Sequence, residues 1–173
     1  MARCGGVPIR SAEELVMARR AAQLAAEVLA MIEPHVVPGV TTDALDHLCH
    51  DHIVNVQGAR PANVGYLGYP KTVLTSVNHV VCHGIPSPQQ MLKKGDIVNI
   101  DVAVEKDGWY GDTSRMFCVG TPSVLAQRLV RTTYEALCAG IRTVKPGATL
   151  GDVGHAIDTV AQRENYSVVR ENC

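Results

Sequence analysis

The chain has 173 residues, of which 46% are hydrophobic and 19% charged, with a formal net charge of −1. That is enough chain for one domain with a sizeable core, or at most two small ones, and the near-neutral balance gives no electrostatic basis for nucleic acid or an anionic membrane as partner. No apolar run approaches the roughly 20 residues that span a bilayer, and the opening MARCGGVPIRSAEE lacks the apolar centre of a secretory signal, so export is not expected.

The first strong element begins at Ser11, where Ser11-Ala12-Glu13-Glu14 reads as a capping box and an Ala- and Leu-rich helix runs to about Ile32, before Pro34. Leu15, Met17, Leu24, Val28 and Met31 are taken as its core face. After a Pro38-Gly39 turn, Thr41 or Thr42 caps a second helix reaching about Ile53. Residues 58–70, with three glycines and two prolines, form a loop. Lys71–Asn78 has the β-branched content of a strand. A turn-rich VCHGIPSP loop leads to a hairpin opened by Gly95-Asp96. Helices at about 123–144 and 149–164 follow, and a short strand, SVVR, closes the list.

The order contains a repeat. Helix, VVPGVTTDALDH, helix is followed later by helix, TVKPGATLGDVGH, helix; Pro38, Gly39, Thr41 and His47 match Pro146, Gly147, Thr149 and His155 at a constant separation of 108. Turns of this type before Thr-capped helices also arise independently, so duplication and coincidence both stand here. A true duplication would place second copies of Asp101 and Asp112 at 209 and 220, beyond Cys173.

The chemistry concentrates in IVNIDVAVEKDGWYGDTSRMF, Ile97 to Phe117. A two-residue turn at Asp107-Gly108 pairs Lys106 with Trp109 and sets Ala103 opposite Asp112. Asp101 then lies one diagonal step from Asp112 on the same face, with side chains roughly 7 Å apart or less. Val98, Ile100, Val102 and Val104 form the opposite, apolar row. The face with Asn99, Asp101 and Asp112 is therefore either a solvated sheet surface or a polar site. Two carboxylates so close repel unless a cation lies between them. Gly108, Gly111 and Thr113 beside them point to close backbone approach and supporting hydrogen bonds. Oxygen ligands favour Mn, Mg, Co or Fe, and bridging carboxylates suit a two-metal hydrolytic centre in which a shared water is the nucleophile.

VVCHGIPSPQQMLKKGDIVNIDVAVEKDGWYGDTSRMFCVG, extended backward through NVGYLGYPKTVLTSVN and forward to SVVRENC, resembles the core signature of type I methionine aminopeptidases. The resemblance covers nearly all the chain from Ser11. It implies an α+β pita-bread (creatinase/aminopeptidase) fold with an internal pseudo-repeat whose second copy is incomplete. Residues 1–10 would be an N-terminal extension and 11–173 the peptidase domain, truncated before the rest of the metal site. It implies metal-dependent removal of the initiator methionine from nascent polypeptides. Asp101 and Asp112 match the family's aspartate ligands for one or two divalent ions (Co, Mn, Fe or Zn). His83 matches the histidine that contacts substrate beside the scissile bond, and Tyr66 and Tyr69 fall in the segment lining the methionine pocket. Asn63 and Leu74 stand where bacterial relatives usually carry cysteine, and the bulkier Leu74 narrows that pocket. In the family, ENC precedes a Gly-His-Gly segment with a histidine ligand, then two glutamate ligands; this sequence has none of those positions. The chain alone is therefore expected to be inactive or very weak. The complete enzyme is expected to be a cytoplasmic monomer meeting its substrates at the ribosome, without specific nucleic-acid or membrane binding.

Other features are weaker. His47-Leu48-Cys49-His50-Asp51-His52 splits its ligands between two helix faces and reads as surface histidines. Cys82 reads as a packing residue rather than a nucleophile, since the sequence marks no base to activate it. Six cysteines without a CxxC pair fit reduced thiols better than a disulfide framework. A rival function is a non-catalytic half-domain that binds nascent chains or a protein partner. A phosphoryl-transfer magnesium site is weaker still, because no glycine loop cradles phosphate.

Overall fold

A computed structural model describes residues 3–4 and 7–169. The chain divides into two compact units, Met1–Thr121 and Pro122–Cys173. The first opens with a two-residue antiparallel pair, β1 (Arg3–Cys4) and β2 (Val7–Pro8). Helix α1 (Ala12–Ile32) follows, with the capping box at Ser11: its hydroxyl accepts from Glu14 N at 3.2 Å, and Ser11 N donates to Glu14 Oε2 at 2.8 Å. Helix α2 (Thr42–Asp51) is capped by Thr41, whose hydroxyl accepts from Ala44 N. It continues beyond Ile53 as a π-helical turn over His52–Val56.

The sheet is built on β5 (Ile97–Lys106), which pairs along its whole length with β6 (Trp109–Cys118). Its other edge carries β4 (Val73–Val77) against Val98–Val102 and the two-residue β3 (Arg60–Pro61) against Val104–Glu105. The hairpin has the expected register: Lys106 faces Trp109 and Ala103 faces Asp112. Asp107 and Gly108 both have positive φ, 53° and 83°, the geometry of a type I′ turn, whose twist matches the flanking strands.

One face of β5 is fully apolar. Val98, Ile100, Val102 and Val104 have no exposed surface, and they join Leu24, Ala25, Val28, Leu29 and Ile32 of α1 and Leu45, Cys49 and Ile53 at the α2 end in one core. Leu24 and Val28 are buried as expected and Met31 partly so, but Leu15 and Met17 are exposed. The buried stripe of α1 begins at Ala21. Leu15 points off its phase, and Met17 lies a turn ahead of it, where the described residues cover the helix only in part.

The start of β4 is anchored from α2. Asp46, 4% exposed, accepts from Thr72 N at 2.8 Å and Val73 N at 2.9 Å. Nothing in the sequence marked Asp46, because its partners are amides some 26 residues away. Asp46→Ala should lower stability by about 2–3 kcal/mol, since it removes two charge-assisted bonds and leaves two amides unsatisfied. Urea denaturation measures this.

In the second unit α3 (Val124–Thr143) and α4 (Leu150–Arg163) pack together, with N-caps Ser123 and Thr149. Gly140 lets them approach: a Cβ there would lie 3.0 Å from Ile157 Cγ1. The Arg128 guanidinium donates to Glu164 O at 2.8 Å and lies over the Tyr166 ring. Each Pro-Gly turn has a positive φ at its glycine (Gly39, 92°; Gly147, 88°) and ends in a threonine N-cap, so the matched sequences have matched local construction. Of the expected SVVR strand, Ser167–Val169 form no ladder with any described residue; strand propensity without a neighbour to pair with does not make a strand. Arg170 to Cys173 lie outside the described residues.

Candidate metal and peptide site

The alternation of β5 and β6 decides what reaches the polar face. Asp101 lies opposite Ser114, and Asp112 opposite Ala103, so the two aspartates share that face with Asn99, Ala103 and Ser114. Thr113 pairs with buried Val102 and Gly111 with buried Val104, so both belong to the core face. The expected close backbone approach holds at Gly111, but against α1, and the expectation that Gly108, Gly111 and Thr113 support the aspartates by hydrogen bonds is corrected. Gly108 makes the turn, and Gly111 admits α1. Ser114 instead faces the site, accepting from Asn99 Nδ2 at 3.3 Å. Position-by-position alternation, applied one residue further, would have found Ser114.

The other wall comes from β4. Leu74 is the cross-strand neighbour of Asp101, on the same face. Asn63 donates from Nδ2 to Thr72 O at 3.0 Å, tying the preceding loop to the strand. His83 stands in the loop after β4, in left-handed backbone geometry with φ 57°. Gly84 beside it closes on the strand: a Cβ there would meet Thr75 O at 2.2 Å.

These elements enclose one cleft of about 510 Å³. Asn63, Tyr66, Tyr69, Leu74, His83, Asp101 and Asp112 all line it, with Leu67 and Ile85 adding apolar surface. All lie within the first unit. Asp101 is half-buried and Asp112 exposed. The Asp101 carboxyl is pushed up to about 6, first by burial, then by the negative charge of Asp112 and a hydrogen bond between the two side chains; His83 draws it partly back. Two hard oxygen donors are crowded together there, and ionising Asp101 beside Asp112 is unfavourable in a way that a cation between them would relieve. The donor set is partial, because among the described residues no three His, Cys, Asp or Glu side chains gather around one point. A divalent ion fits the pair, but the pair does not complete its shell.

The histidine-rich face of α2 behaves as expected. Cys49 is in the core, and burial followed by Asp46 raises its thiol to about 12. His47 and His50 line a separate polar cleft with Asp46, Asp51 and Lys71, where Lys71 is paired with Asp43.

Residues 17–173 match the model of metallopeptidase family M24. The chain belongs to that family and has its pita-bread fold, and membership implies use of a divalent metal. Among curated relatives, the methionine aminopeptidase of Salmonella typhimurium is 55% identical over 167 residues, 96% of this chain and 63% of the relative. The chain thus spans less than two thirds of the curated relatives it matches. Among solved structures, a methionine aminopeptidase from Rickettsia prowazekii superposes with a TM-score of 0.92 at 52% identity, covering 95% of this chain and 66% of that one. One from Thermotoga maritima gives 0.91 at 33% identity, with the same coverage.

Proposed function

We propose that this chain is part of a methionyl aminopeptidase that removes the initiator methionine from nascent polypeptides by metal-dependent hydrolysis. The observation that carries this reading is the convergence in one cleft of all seven residues that the motif singles out. In the complete site Asp101 and Asp112 hold one or two divalent ions (Co, Mn, Fe or Zn). A bound ion supplies Lewis-acid polarisation of the peptide carbonyl and of water. Tyr66, Tyr69, Asn63 and Leu74 form the wall against which the methionine side chain lies, and His83 contacts the peptide beside the bond to be cut. Residues 11–173 are one peptidase domain, in keeping with a family match that runs through both units, and residues 1–10 are an extension. The complete enzyme is a cytoplasmic monomer. No helix of the described chain is long and apolar enough to cross a membrane.

The described residues bring two carboxylates to the cleft and no third ligand, so the chain by itself has little or no peptidase activity. Incubating the pure 173-residue protein with Met-Ala-Ser and Mn²⁺ should release no methionine above the metal-only control. Calorimetric titration should still detect weak Mn²⁺ binding that the Asp101→Asn/Asp112→Asn pair abolishes. Rapid methionine release would overturn the inactivity of the isolated chain, and unchanged Mn²⁺ binding by the double variant would overturn the metal assignment. Peptide binding without metal dependence would favour a non-catalytic half-domain.

A further inference from the structure

The outer edge of β4 carries a clamp whose two ends are both in the cleft. Thr75 N donates to Gly84 O at 2.8 Å. Residues two apart in a strand direct their backbone groups to the same side, so Val73 also presents its N–H and C=O to this edge. An unpaired edge is a liability, and here Val73 and Thr75 N are held by other parts of the chain. Val73 N is held by Asp46, and Gly84 N donates to Ser76 Oγ at 3.2 Å. The Tyr69 hydroxyl lies 3.0 Å from Val73 O and 3.1 Å from Gly84 O.

We propose that Tyr69 is a positioning residue for His83, its hydroxyl fixing the loop at Gly84 against β4 and so setting where the His83 imidazole stands in the cleft. The functional weight of this rests on the reading of His83 as a peptide contact. A phenol has one proton to donate, and both acceptors within reach are backbone carbonyls. The single proton is therefore shared between β4 and the loop, bridging Val73 O and Gly84 O rather than being donated to an occupant of the cleft. Burial, then Asp46 and Asp101, raise the phenol well above its usual range, so the donor persists at every working pH. His83 needs such a hold. Its positive φ is uncommon for a residue with a side chain and endures where the surroundings over-determine it. Gly84 supplies half of that, by a backbone approach that no Cβ would permit; Tyr69 supplies the other half. Because the Tyr69 ring also lines the cleft, a group pressing on that wall is felt at His83 through one side chain.

The test is Tyr69→Phe in the isotope-labelled full chain, read by NMR. The His83 imidazole signals should move, and the Thr75 amide should exchange roughly tenfold faster, as expected for loss of one buried bond beside it. The Val102 and Val104 amides of β5 should exchange as before. Unmoved His83 signals with unchanged Thr75 exchange in a folded variant would overturn the proposal. If the variant does not fold, the unmodified chain decides: the Tyr69 hydroxyl should exchange slowly enough to split its Cζ signal in mixed H₂O and D₂O, and exchange as fast as that of exposed Tyr66 overturns it. Titrating the unmodified chain with Met-Ala-Ser separates the two ideas. Absence of any shift at His83 would count against the peptide site and leave the clamp standing.

Discussion

Asp101→Asn should make the metal-free chain more stable at neutral pH while removing most of its affinity for a divalent cation. Both effects have one cause. The carboxyl titrates near 6 in the folded chain, against about 3.9 for an unperturbed aspartate. Between those values the folded state holds more protons than the unfolded state, so this group's contribution falls as pH rises from about 4 to about 6 and stays unfavourable above. The amide carries no charge to desolvate and does not repel Asp112. The difference in stability between variant and parent should therefore be small at pH 4 and favour the variant at pH 7, as measured by urea denaturation in EDTA. The same change should weaken Mn²⁺ binding by at least about 100-fold, since supporting residues around a metal are alone worth 10–100-fold. A stability difference that shrinks as pH rises would show that neither burial nor Asp112 disfavours the Asp101 carboxylate in the absence of metal.

Gly111→Ala should be among the most damaging single substitutions in the sheet, though it adds one methyl group. Gly111 faces α1, and a Cβ there would lie 2.1 Å from Ala21 O and 2.3 Å from Ala21 C. Those are helix backbone atoms, which cannot rotate aside, so α1 must move off the face that covers Val104 and the rest of the core. A loss of about 3 kcal/mol, the upper end of overpacking costs, is expected. Because Asp112 is the next residue, Mn²⁺ binding should weaken as well. Gly154→Ala is the control. It lies within α4, and no atom stands within 4 Å of the added Cβ, so the change should stabilise the chain by about 0.5–1 kcal/mol. Thermal denaturation of the two variants distinguishes a packing glycine from a dispensable one.

Local chemistry is what a sequence displays, and the local features came out as read. Ser11 and Glu14 meet in a capping box because both partners lie within one turn. Asp107-Gly108 turns the hairpin because both residues tolerate positive φ. Once that turn is fixed, strand alternation carries the register back to Asp101 and Asp112 without further information. Leu15 and Met17 failed as core residues for the opposite reason: their composition suits burial, but whether anything covers the first turns of α1 depends on where the sheet ends. Ser167–Val169 likewise pair with no described residue, since a strand is a relation between two segments and the second is not supplied by its own residues.

By itself, then, the sequence determined the hairpin, the helices with their caps, and the placing of two aspartates on one face. The periods of strand and helix are short and the turn chemistry is specific. Tertiary structure alone decided that Asp46 anchors β4, that Gly111 faces a helix rather than the site, and that Tyr69 reaches Gly84 O. Each of these joins residues far apart in the chain or on opposite faces of it, where no local pattern records the partner. It also decided the upward shift of the Asp101 carboxyl. Burial and the nearness of a second carboxylate exist only once β4, the His83 loop and the hairpin close around one cleft.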